Sequence, residues 1–400
     1  MAAEPLPSVV VAGEGARAVR GGALMVYRKW VKPVGGRLEA GQLVVAEDEE
    51  GRILGCGMYD TVGPVALRML QLGRCKYASA EEAILSLIER AYKLRRRLGY
   101  ATDPEAGYRL VNSDGDYMPG LIVDVYAELA VVQSSSVVWD KHMKTVVDAL
   151  SDAVGVASVY EKSTQRTRRD IGLEPREKLW LGEKTTAVIR EGDAVFFVDA
   201  RHGQKTGFFL DQRENRLDFS SYSQGDVLDL FAYTGGFGIQ ALVSGNAERA
   251  TFVEEDDKAL KILQKNLELN RVTEKARVKK GNVWEVLSKI VSRREKFASV
   301  VVDPPAFIPE PKAKHRGMQA YEKLYANALR AAGRDSIVFV SSCSAHLERK
   351  EFASIVSRAA SRVGVEFSAL GGMRGVPPDH ATRPAAPHLD YLKALFLHVF

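Results

Sequence analysis

The chain lacks the features that mark membrane and secreted proteins. No apolar run in its 400 residues approaches the roughly 18 residues that a membrane-spanning helix needs. Its first residues, MAAEPLPSVVVAGEG, carry no basic segment ahead of the short apolar run, which argues against a secretory signal. These absences predict a protein of the cytoplasm that has no membrane partner.

Cysteine and histidine are also scarce. Three cysteines, Cys56, Cys75 and Cys343, are too few for a disulfide framework and fit a reducing compartment. Cys56 and Cys75 are therefore expected to pack or to face solvent as thiols. The histidines show no pairwise spacing with cysteines or carboxylates that would hold a metal ion, so no metal site is predicted.

The residues that are present are those of a folded protein with a mild basic surplus. Hydrophobic residues make up 46% and charged residues 27% of the chain, which excludes a mostly disordered protein. The net charge is +5, and residues 201–400 carry 30 Lys and Arg against 23 Asp and Glu. This surplus permits a polyanionic partner such as RNA without requiring one.

The first 200 residues predict two small domains. Residues 1–74 contain short apolar runs such as VVVAG and VALRML, and so many short strands need closure into a β-barrel to hide their edges. Residues 75–200 predict a central α+β domain, which begins with a helix at 78–98 whose capping box is Ser79 and Glu82. Four basic residues of this domain are candidates for RNA phosphate contacts, with a solvated loop as an equal alternative: Lys162, Arg166, Arg168 and Arg169.

Residues 201–400 predict a third, larger domain. From about residue 225 onward, strand patterns such as DVLDLFA and ASVVVDPP alternate with helical patterns such as DKALKILQKNLELN. This alternation favours a parallel sheet with helices on both faces.

Three strand ends in this domain carry residues suited to binding a nucleoside. VLDLFAYTGGFGIQAL (227–242) is an apolar strand that ends in a glycine-rich turn and opens a helix, although the turn lacks the dinucleotide fingerprint. The next strand ends in Glu254, whose carboxylate can accept hydrogen bonds from both ribose hydroxyls. The third ends in Gly281 and Asn282, and an amide there could bind an adenine amino group.

A fourth strand end carries Asp303, Pro304, Pro305, Ala306 and Phe307. Consecutive prolines stiffen the backbone at the sheet edge where open α/β sheets bind ligands. An Asp-Pro-Pro turn there resembles the catalytic loop of methyltransferases that act on planar nitrogen or base atoms. A plain rigid turn is the alternative.

Taken in order, these motifs resemble the class I S-adenosylmethionine-dependent methyltransferases, and more narrowly the large-subunit ribosomal RNA cytosine-C5 methyltransferases. The segments that carry the likeness are DLFAYTGGF, VEEDDKALKILQKNLELN, VVDPPAF, SSCS and QKTGFFLDQRENR, and the likeness extends to RAVRGGALMVYRKWV and the tail DYLK. The resemblance implies an α/β fold class: a Rossmann-like methyltransferase domain at 201–400, preceded by the α+β domain at 75–200 and a PUA-type (pseudouridine-synthase and archaeosine-transglycosylase) RNA-binding barrel at 1–74.

The resemblance also implies S-adenosylmethionine as cofactor and assigns residues to it. They are Asp229, Phe231, Thr234, Gly235, Gly236, Glu254, Asn282 and Asp303, with Gln212 and Arg213 of the preceding segment capping the pocket. Asn282 departs from the usual Asp, but its amide oxygen can still accept a hydrogen bond from adenine. The expected partner is RNA, namely large-subunit ribosomal RNA, and the family pattern allows a homodimer.

Cys343 is the predicted nucleophile, with Asp303 as its catalytic partner. Most lone cysteines are small buried hydrophobes, but this one follows the strand SIVFV beside the Asp303 loop. A thiolate that adds to carbon 6 of cytosine makes carbon 5 able to accept a methyl group. A related group has a second cysteine after the paired prolines, where this chain has Ala306.

Two other functions remain open from the sequence. An RNA methyltransferase acting on an exocyclic amine of guanine or adenine would use the Asp303 loop and need no thiol. A non-catalytic RNA-binding or assembly factor could keep the fold, although the intact cofactor motifs disfavour it.

Overall fold

The computed structural model describes residues 6–33, 36–244 and 246–400. The first five residues of the segment weighed as a secretory signal lie outside this range. The described chain divides into two compact units. The first comprises the residues as far as Ala187, together with Asp199–Phe208 and Pro378–Leu389, and the second comprises Val188–Val198, Phe209–Pro377 and Asp390–Phe400. The predicted division into three domains remains a prediction.

The N-terminal part of the first unit is built on a five-stranded sheet with the order β1-β3-β4-β5-β2. Its elements are β1 (Ser8–Val10), α1 (Gly13–Arg20), β2 (Met25–Tyr27), β3 (Leu43–Glu47), β4 (Ile53–Tyr59) and β5 (Val65–Leu72). β1 pairs with β3 in parallel, and the other pairs are antiparallel. The helix α1 was not predicted, because its eight residues contain two glycines and little apolar periodicity.

The rest of the first unit contains a second five-stranded sheet, in the order β10-β9-β8-β7-β6. Its elements are α2 (Ala80–Arg97), β6 (Gly107–Asn112), β7 (Leu121–Tyr126), β8 (Leu129–Ser134), α3 (Val137–Lys141), α4 (Met143–Ala149), β9 (Ser158–Ser163), α5 (Arg166–Asp170) and β10 (Arg176–Leu181). The Ser79 hydroxyl accepts a hydrogen bond from the Glu82 amide at 3.2 Å, so α2 begins where its cap was predicted.

One hydrophobic core joins both sheets of the first unit. It contains Leu43 and Met58 of the first sheet with Ile84 of α2 and Val123 of the second sheet. The predicted boundary at residue 74 therefore crosses a shared core rather than an exposed linker.

The expectation that Cys56 and Cys75 remain separate thiols is wrong. They form a disulfide, with their Cα atoms 5.4 Å apart. The pairing of β4 with β5 brings the segment after β5 back to the middle of β4, and 19 residues of sequence separation hide that proximity.

Two of the four candidate RNA-contacting residues of the first unit are buried instead. Arg168 is 1% exposed and forms an ion pair with Asp140 at 2.8 Å. Lys162 is 7% exposed and donates to the carbonyl of Ala200 at 2.7 Å. Arg166 and Arg169 remain at the surface.

The second unit is a seven-stranded sheet flanked by helices, with the order β15-β14-β13-β16-β17-β19-β18. A hairpin of β11 (Thr186–Glu191) and β12 (Ala194–Asp199) precedes it. Its elements are α6 (Arg213–Tyr222), β13 (Gly225–Leu230), α7 (Gly236–Val243), β14 (Ala247–Glu254), α8 (Asp257–Leu269), β15 (Ala276–Lys280), α9 (Val283–Ser292), β16 (Phe297–Val302), α10 (Lys314–Ala331), β17 (Ala332–Ser342), α11 (Arg349–Val363), β18 (Phe367–Arg374) and β19 (Lys393–Val399).

The predicted parallel sheet is confirmed for β13 to β17, and β19 adds to it antiparallel. The chain runs outward from β13 to β15 on one side and from β16 to β17 on the other. The crevice between β13 and β16 is therefore the point where the strand order reverses, and open α/β sheets bind ligands there.

Within the described ranges, no helix is both long and apolar enough to cross a membrane. The described part of the chain also holds no cluster of three or more His, Cys, Asp or Glu side chains able to bind a metal ion.

Candidate active site

The candidate site lies where the five parallel strands of the second unit end. Their last residues are Leu230, Glu254, Lys280, Val302 and Ser342. The predicted site residues from Asp229 to Cys343 lie in the last two positions of a strand or just after it. The topology therefore brings residues that are far apart in sequence to one edge of the sheet.

The glycine-rich turn after β13 has an unusual backbone. Phe231 and Tyr233 adopt positive φ angles of 61° and 48°, which residues other than glycine rarely adopt. Gly235 follows with φ 86°, and a Cβ atom there would lie 2.3 Å from the Leu263 side chain. Strained backbone of this kind persists where the surrounding structure holds it in place, commonly at ligand sites.

Asp229 lies beneath this turn. Its side chain is 1% exposed, and its Oδ2 accepts a hydrogen bond from the Gly238 amide in the first turn of α7 at 2.9 Å. Burial raises the pKa of Asp229 to about 7, and the nearby carboxylates of Asp303 and Glu254 push the pKa in the same direction. Asp229 therefore holds the turn against α7 from inside the protein.

Thr234 supplies a polar atom that no protein group satisfies. The residue is 1% exposed, and its buried Oγ1 has no hydrogen-bond partner among the described residues. Buried hydroxyl groups are normally bonded, because an unmade hydrogen bond costs free energy. At the start of α7, beside Gly235 and Gly236, this hydroxyl is suited to a polar group of a ligand.

Glu254 is fixed before any ligand binds. Its Oε2 accepts from the Tyr233 amide at 2.9 Å, and its Oε1 accepts from the amides of Glu255 and Asp256 at 2.8 and 2.9 Å. The side chain stays partly exposed. A carboxylate has about four acceptor positions, so Glu254 retains capacity to bind a hydroxyl group.

Asn282 has a structural role as well as its predicted one. Its Oδ1 caps α9 by accepting from the Trp284 amide at 3.0 Å, and its Nδ2 donates to Glu255 at 3.2 Å. The amide oxygen keeps one lone pair for an adenine amino group. The Trp284 ring stacks on Phe307, with ring centroids 6.0 Å apart, so aromatic surface lies beside this strand end.

Asp303 is held by two donors. The Ser341 hydroxyl donates to its Oδ1, and the Gln212 amide nitrogen donates to the same atom at 2.8 Å. Gln212 is 3% exposed and also accepts from Asn215 at 2.6 Å. The segment before the sheet thus reaches the Asp-Pro-Pro loop, as the cap predicted for Gln212 requires.

Cys343 follows Ser341 by two residues in the turn after β17. It is not part of a disulfide, and its side chain is partly exposed. The turn is tied to the Asp303 loop by Tyr321, whose hydroxyl lies 2.8 Å from the Ser344 hydroxyl and accepts from the Phe307 amide at 3.2 Å. The two loops that carry the predicted catalytic residues are therefore joined.

Arg213 lies near the β11–β12 hairpin. It is 7% exposed and lies 3.8 Å from Glu191 of the β11–β12 hairpin. Its neighbour Arg216 makes the stronger contact, a two-pronged ion pair with Glu191 at 2.6 Å for each bond. A Cβ atom on Gly236 would lie 2.8 Å from Arg216, so the glycine turn accommodates this arginine.

The sequence did not predict the residues that hold the candidate site residues in place. Ser341, Tyr321, Glu191 and Arg216 are serine, tyrosine, glutamate and arginine residues of ordinary local context. Only SSCS and QKTGFFLDQRENR, which contain Ser341 and Arg216, carried a signal. The residues that contact Ser341 and Arg216 could not be predicted from the sequence, because only the fold brings them together.

Two family models match parts of the chain. Residues 9–72 match the model of a PUA-like domain, which confirms the predicted module. Residues 213–329 match the model described as Conserved hypothetical protein 95.

Relatives match nearly the whole chain. It is 32% identical over 394 residues to the ribosomal RNA large subunit methyltransferase of Deinococcus radiodurans, a match that covers 95% of this chain and 94% of that one. It is 32% identical over 376 residues to ribosomal RNA large subunit methyltransferase I of Tolumonas auensis, covering 92% and 94%. The chain belongs to the ribosomal RNA large subunit methyltransferases.

Solved structures confirm the fold of this methyltransferase. One, described as "A putative sam-dependent methyltransferase from Streptococcus mutans", aligns with a TM-score of 0.79 at 18% identity and covers 98% of this chain and 100% of that one. A second structure, of a methyltransferase complexed with SAH (S-adenosylhomocysteine), aligns over the same shares with a TM-score of 0.80 at 18% identity. The predicted fold class is correct, and the second of these structures holds SAH, the product that the predicted cofactor S-adenosylmethionine leaves after methyl transfer.

The residues at the strand ends fit this cofactor. The orphaned Thr234 hydroxyl lies at the start of α7, where an amino acid carboxylate can also meet backbone amides. Glu254 and Asn282 are suited to the ribose and the adenine.

Proposed function

We propose that this methyltransferase forms 5-methylcytidine in large-subunit ribosomal RNA, and that Cys343 forms a covalent adduct with the base. The observation that carries the proposal is the thiol of Cys343 in a turn tied to Asp303, at the sheet edge that holds the cofactor residues. The names of the relatives support ribosomal RNA as the substrate.

The chemistry explains why a thiol is needed. Carbon 5 of cytosine is not nucleophilic, so it cannot accept a methyl group directly. When the Cys343 sulfur bonds to carbon 6, electron density moves to carbon 5, which becomes enamine-like. Carbon 5 then takes the methyl group. A base removes the carbon-5 proton, and the carbon–sulfur bond breaks to restore the ring and to release Cys343 as a thiolate.

Asp303 orients the base in this scheme. Its Oδ1 is held by Ser341 and Gln212, and its carboxylate would accept a hydrogen bond from the amino group of cytosine. A carboxylate fixed by two donors loses little freedom when the base binds, so the geometry is set in advance.

The cofactor residues place the methyl donor beside that base. When bound, S-adenosylmethionine supplies an electrophilic methyl group on its sulfonium sulfur. Glu254 would hold the ribose, Asn282 the adenine amino group, and Thr234 with the amides of the glycine turn the amino acid end. Asp229 contributes indirectly, because its hydrogen bond with the Gly238 amide holds the glycine-rich turn on α7.

Nucleoside mass spectrometry tests the proposal. Wild-type enzyme incubated with large-subunit ribosomal RNA and S-adenosylmethionine should produce 5-methylcytidine, and RNA that contains 5-fluorocytosine should trap a covalent adduct, because fluorine cannot leave as a proton. Cys343→Ala should abolish turnover and keep cofactor affinity, whereas His346→Ala, an exposed change in the same turn, should leave both intact.

The other outcomes separate the alternatives. A Cys343→Ala enzyme that still methylates RNA would contradict the covalent mechanism and favour an exocyclic amine as the acceptor, with Asp303 orienting it. A methylated guanine or adenine as the product would identify that amine.

A further inference from the structure

Lys393 lies beside the Cys343 turn although it is 50 residues away in sequence. It is the first residue of β19, and the antiparallel pairing of β19 with β17 sets it directly opposite Ser342. Ser342 is the last residue of β17, immediately before Cys343. A lysine at this position therefore reaches the turn that carries the proposed nucleophile.

The Lys393 ammonium is buried and fixed. The residue is 2% exposed, which is rare for lysine. Its Nζ donates to the carbonyl oxygen of Ser344 at 2.7 Å and to that of Tyr391 at 2.7 Å. An ammonium has three N–H donors. One of them holds a carbonyl of the Cys343 turn, and another holds a carbonyl of the segment before β19.

The charged side chains near Lys393 include Arg349, which lowers the pKa of Lys393, and they are engaged with other partners. Asp390 and Glu351 act on it electrostatically, but Asp390 pairs with Arg349 at 2.8 Å and Glu351 pairs with Lys314 at 2.7 Å. Among the groups that favour its charged form, the largest influence comes from Cys343.

The Cys343 side chain faces groups from three elements. Tyr321 and Tyr325 of α10 and Lys393 of β19 act on it electrostatically, and Asp303 follows the neighbouring β16. Burial keeps the pKa of Tyr321 and Tyr325 above its ordinary value, so both are neutral near pH 7. Among these four side chains, Lys393 supplies the positive charge.

We propose that Lys393 is a positioning residue that stabilises the thiolate of Cys343. The proposal rests on the proposed function, in which that thiolate attacks the base. The thiol proton passes to solvent, and the sulfur keeps its electron pair opposite the buried ammonium. The two carbonyl contacts of Lys393 keep the charge in place while the sulfur bonds to carbon 6 and again when it is released.

The pH dependence follows from the ammonium itself. Burial lowers the pKa of Lys393 to about 8, so its positive charge is present at pH 7 and is lost as the pH rises above about 8. The stabilisation of the thiolate by Lys393 is therefore largest at pH 7 and below, and it declines as the pH rises above about 8. An ordinary cysteine has a pKa near 8.5 and is mostly protonated there.

Alkylation of Cys343 by iodoacetamide, followed by peptide mass spectrometry from pH 6 to pH 10, tests the proposal without RNA. Lys393→Met should lower the alkylation rate at pH 7 by roughly tenfold, since a nearby opposite charge shifts a pKa by about one unit or more, and the rates should converge above pH 9. Lys393→Arg keeps a charge and should stay close to wild type at pH 7. Lys350→Met, an exposed change on α11, is the matched control and should leave the profile unchanged.

The methylation rate gives a second readout. Lys393→Met should lose turnover at pH 7 and regain much of it at pH 9, a recovery that a purely structural defect would not show. An unshifted alkylation profile in Lys393→Met would overturn the proposal. If Lys393→Met does not fold, an alkylation profile of Lys393→Arg equal to that of an ordinary thiol would also overturn the proposal. Methylation by Cys343→Ala would refute the proposed function instead, whatever the alkylation shows.

Discussion

At the scale of single residues, the candidate cofactor site contains side chains that other groups of the protein hold in place. Glu254 illustrates this, since three backbone amides hold its carboxylate while part of it stays exposed. The sequence predicted Glu254 because strand ends and acidic residues are visible in a sequence. It could not predict the three amides, because they come from the fold of two loops.

Glu254→Ala should weaken S-adenosylmethionine binding about ten- to a hundredfold. The change removes hydrogen bonds to a charged group, which contribute roughly 1.5–3 kcal/mol. Isothermal titration calorimetry measures the affinity, and Glu268→Ala, an exposed change on α8, is the control expected to bind as wild type does. Unchanged affinity in Glu254→Ala would mean that the ribose is held elsewhere.

Asp229 gives a prediction about pH. Its pKa is about 7 in the folded enzyme against an ordinary value of 3.8, so the folded state holds the proton more tightly than the unfolded state. The resulting stability is fully present below about pH 4 and is lost as the pH rises through about 7. Asp229→Asn removes this dependence and keeps an acceptor for the Gly238 amide.

The free energy of unfolding of wild type, relative to that of Asp229→Asn, should therefore be about 2–3 kcal/mol larger at pH 5 than at pH 8. Urea denaturation followed by circular dichroism at both pH values measures the difference. A difference that does not change with pH would show that Asp229 titrates near its ordinary value.

At the scale of elements, the Cys56–Cys75 disulfide changes the interpretation of the N-terminal sheet. It links the middle of β4 to the segment between β5 and α2, so it closes a loop of chain that includes all of β5. Disulfides are uncommon in reducing compartments outside hyperthermophiles. The small number of cysteines predicted that no disulfide forms. The pairing of two cysteines depends on which strands are neighbours, and a cysteine count does not contain that information.

Breaking this disulfide should lower the free energy of unfolding by about 3 kcal/mol, the value expected for a loop of this size. Cys75→Ser and treatment of wild type with dithiothreitol should give the same loss in thermal denaturation. The Cys343→Ser variant keeps the Cys56–Cys75 disulfide, so its stability should still fall on treatment with dithiothreitol. Equal stability of the oxidised and reduced wild type would contradict the prediction.

At the scale of the whole molecule, local sequence patterns predicted the sheet of the second unit but not the long-range contacts of the first unit. Alternating apolar strands and amphipathic helices predicted the sheet from β13 to β17, because buried parallel strands such as FASVVV have a clear pattern. The shared core of Leu43, Met58 and Ile84 and the return of Pro378–Leu389 to the first unit are long-range contacts, which no local pattern records.

That returning segment is fixed by Asp379, which is fully buried. Its carboxylate accepts from the Arg109 amide and from His380, both at 2.9 Å, and its carbonyl oxygen accepts from Arg95, which is itself buried in an ion pair with Asp116. These contacts make Pro378–Leu389 a component of the first unit, so a fragment that ends at residue 200 would lack a piece of its own fold.

Asp379→Ala should therefore lower the free energy of unfolding by about 3 kcal/mol or more, because it leaves buried partners without their acceptor. Asp390→Ala is the matched control. It removes a half-exposed ion pair with Arg349 from the same stretch of chain and should cost less than about 1 kcal/mol. Urea denaturation compares the two, and cleavage within Pro378–Leu389 by proteinase K should become faster in Asp379→Ala alone. Equal losses in both variants would mean that Pro378–Leu389 contributes no more to the first unit than a surface loop does.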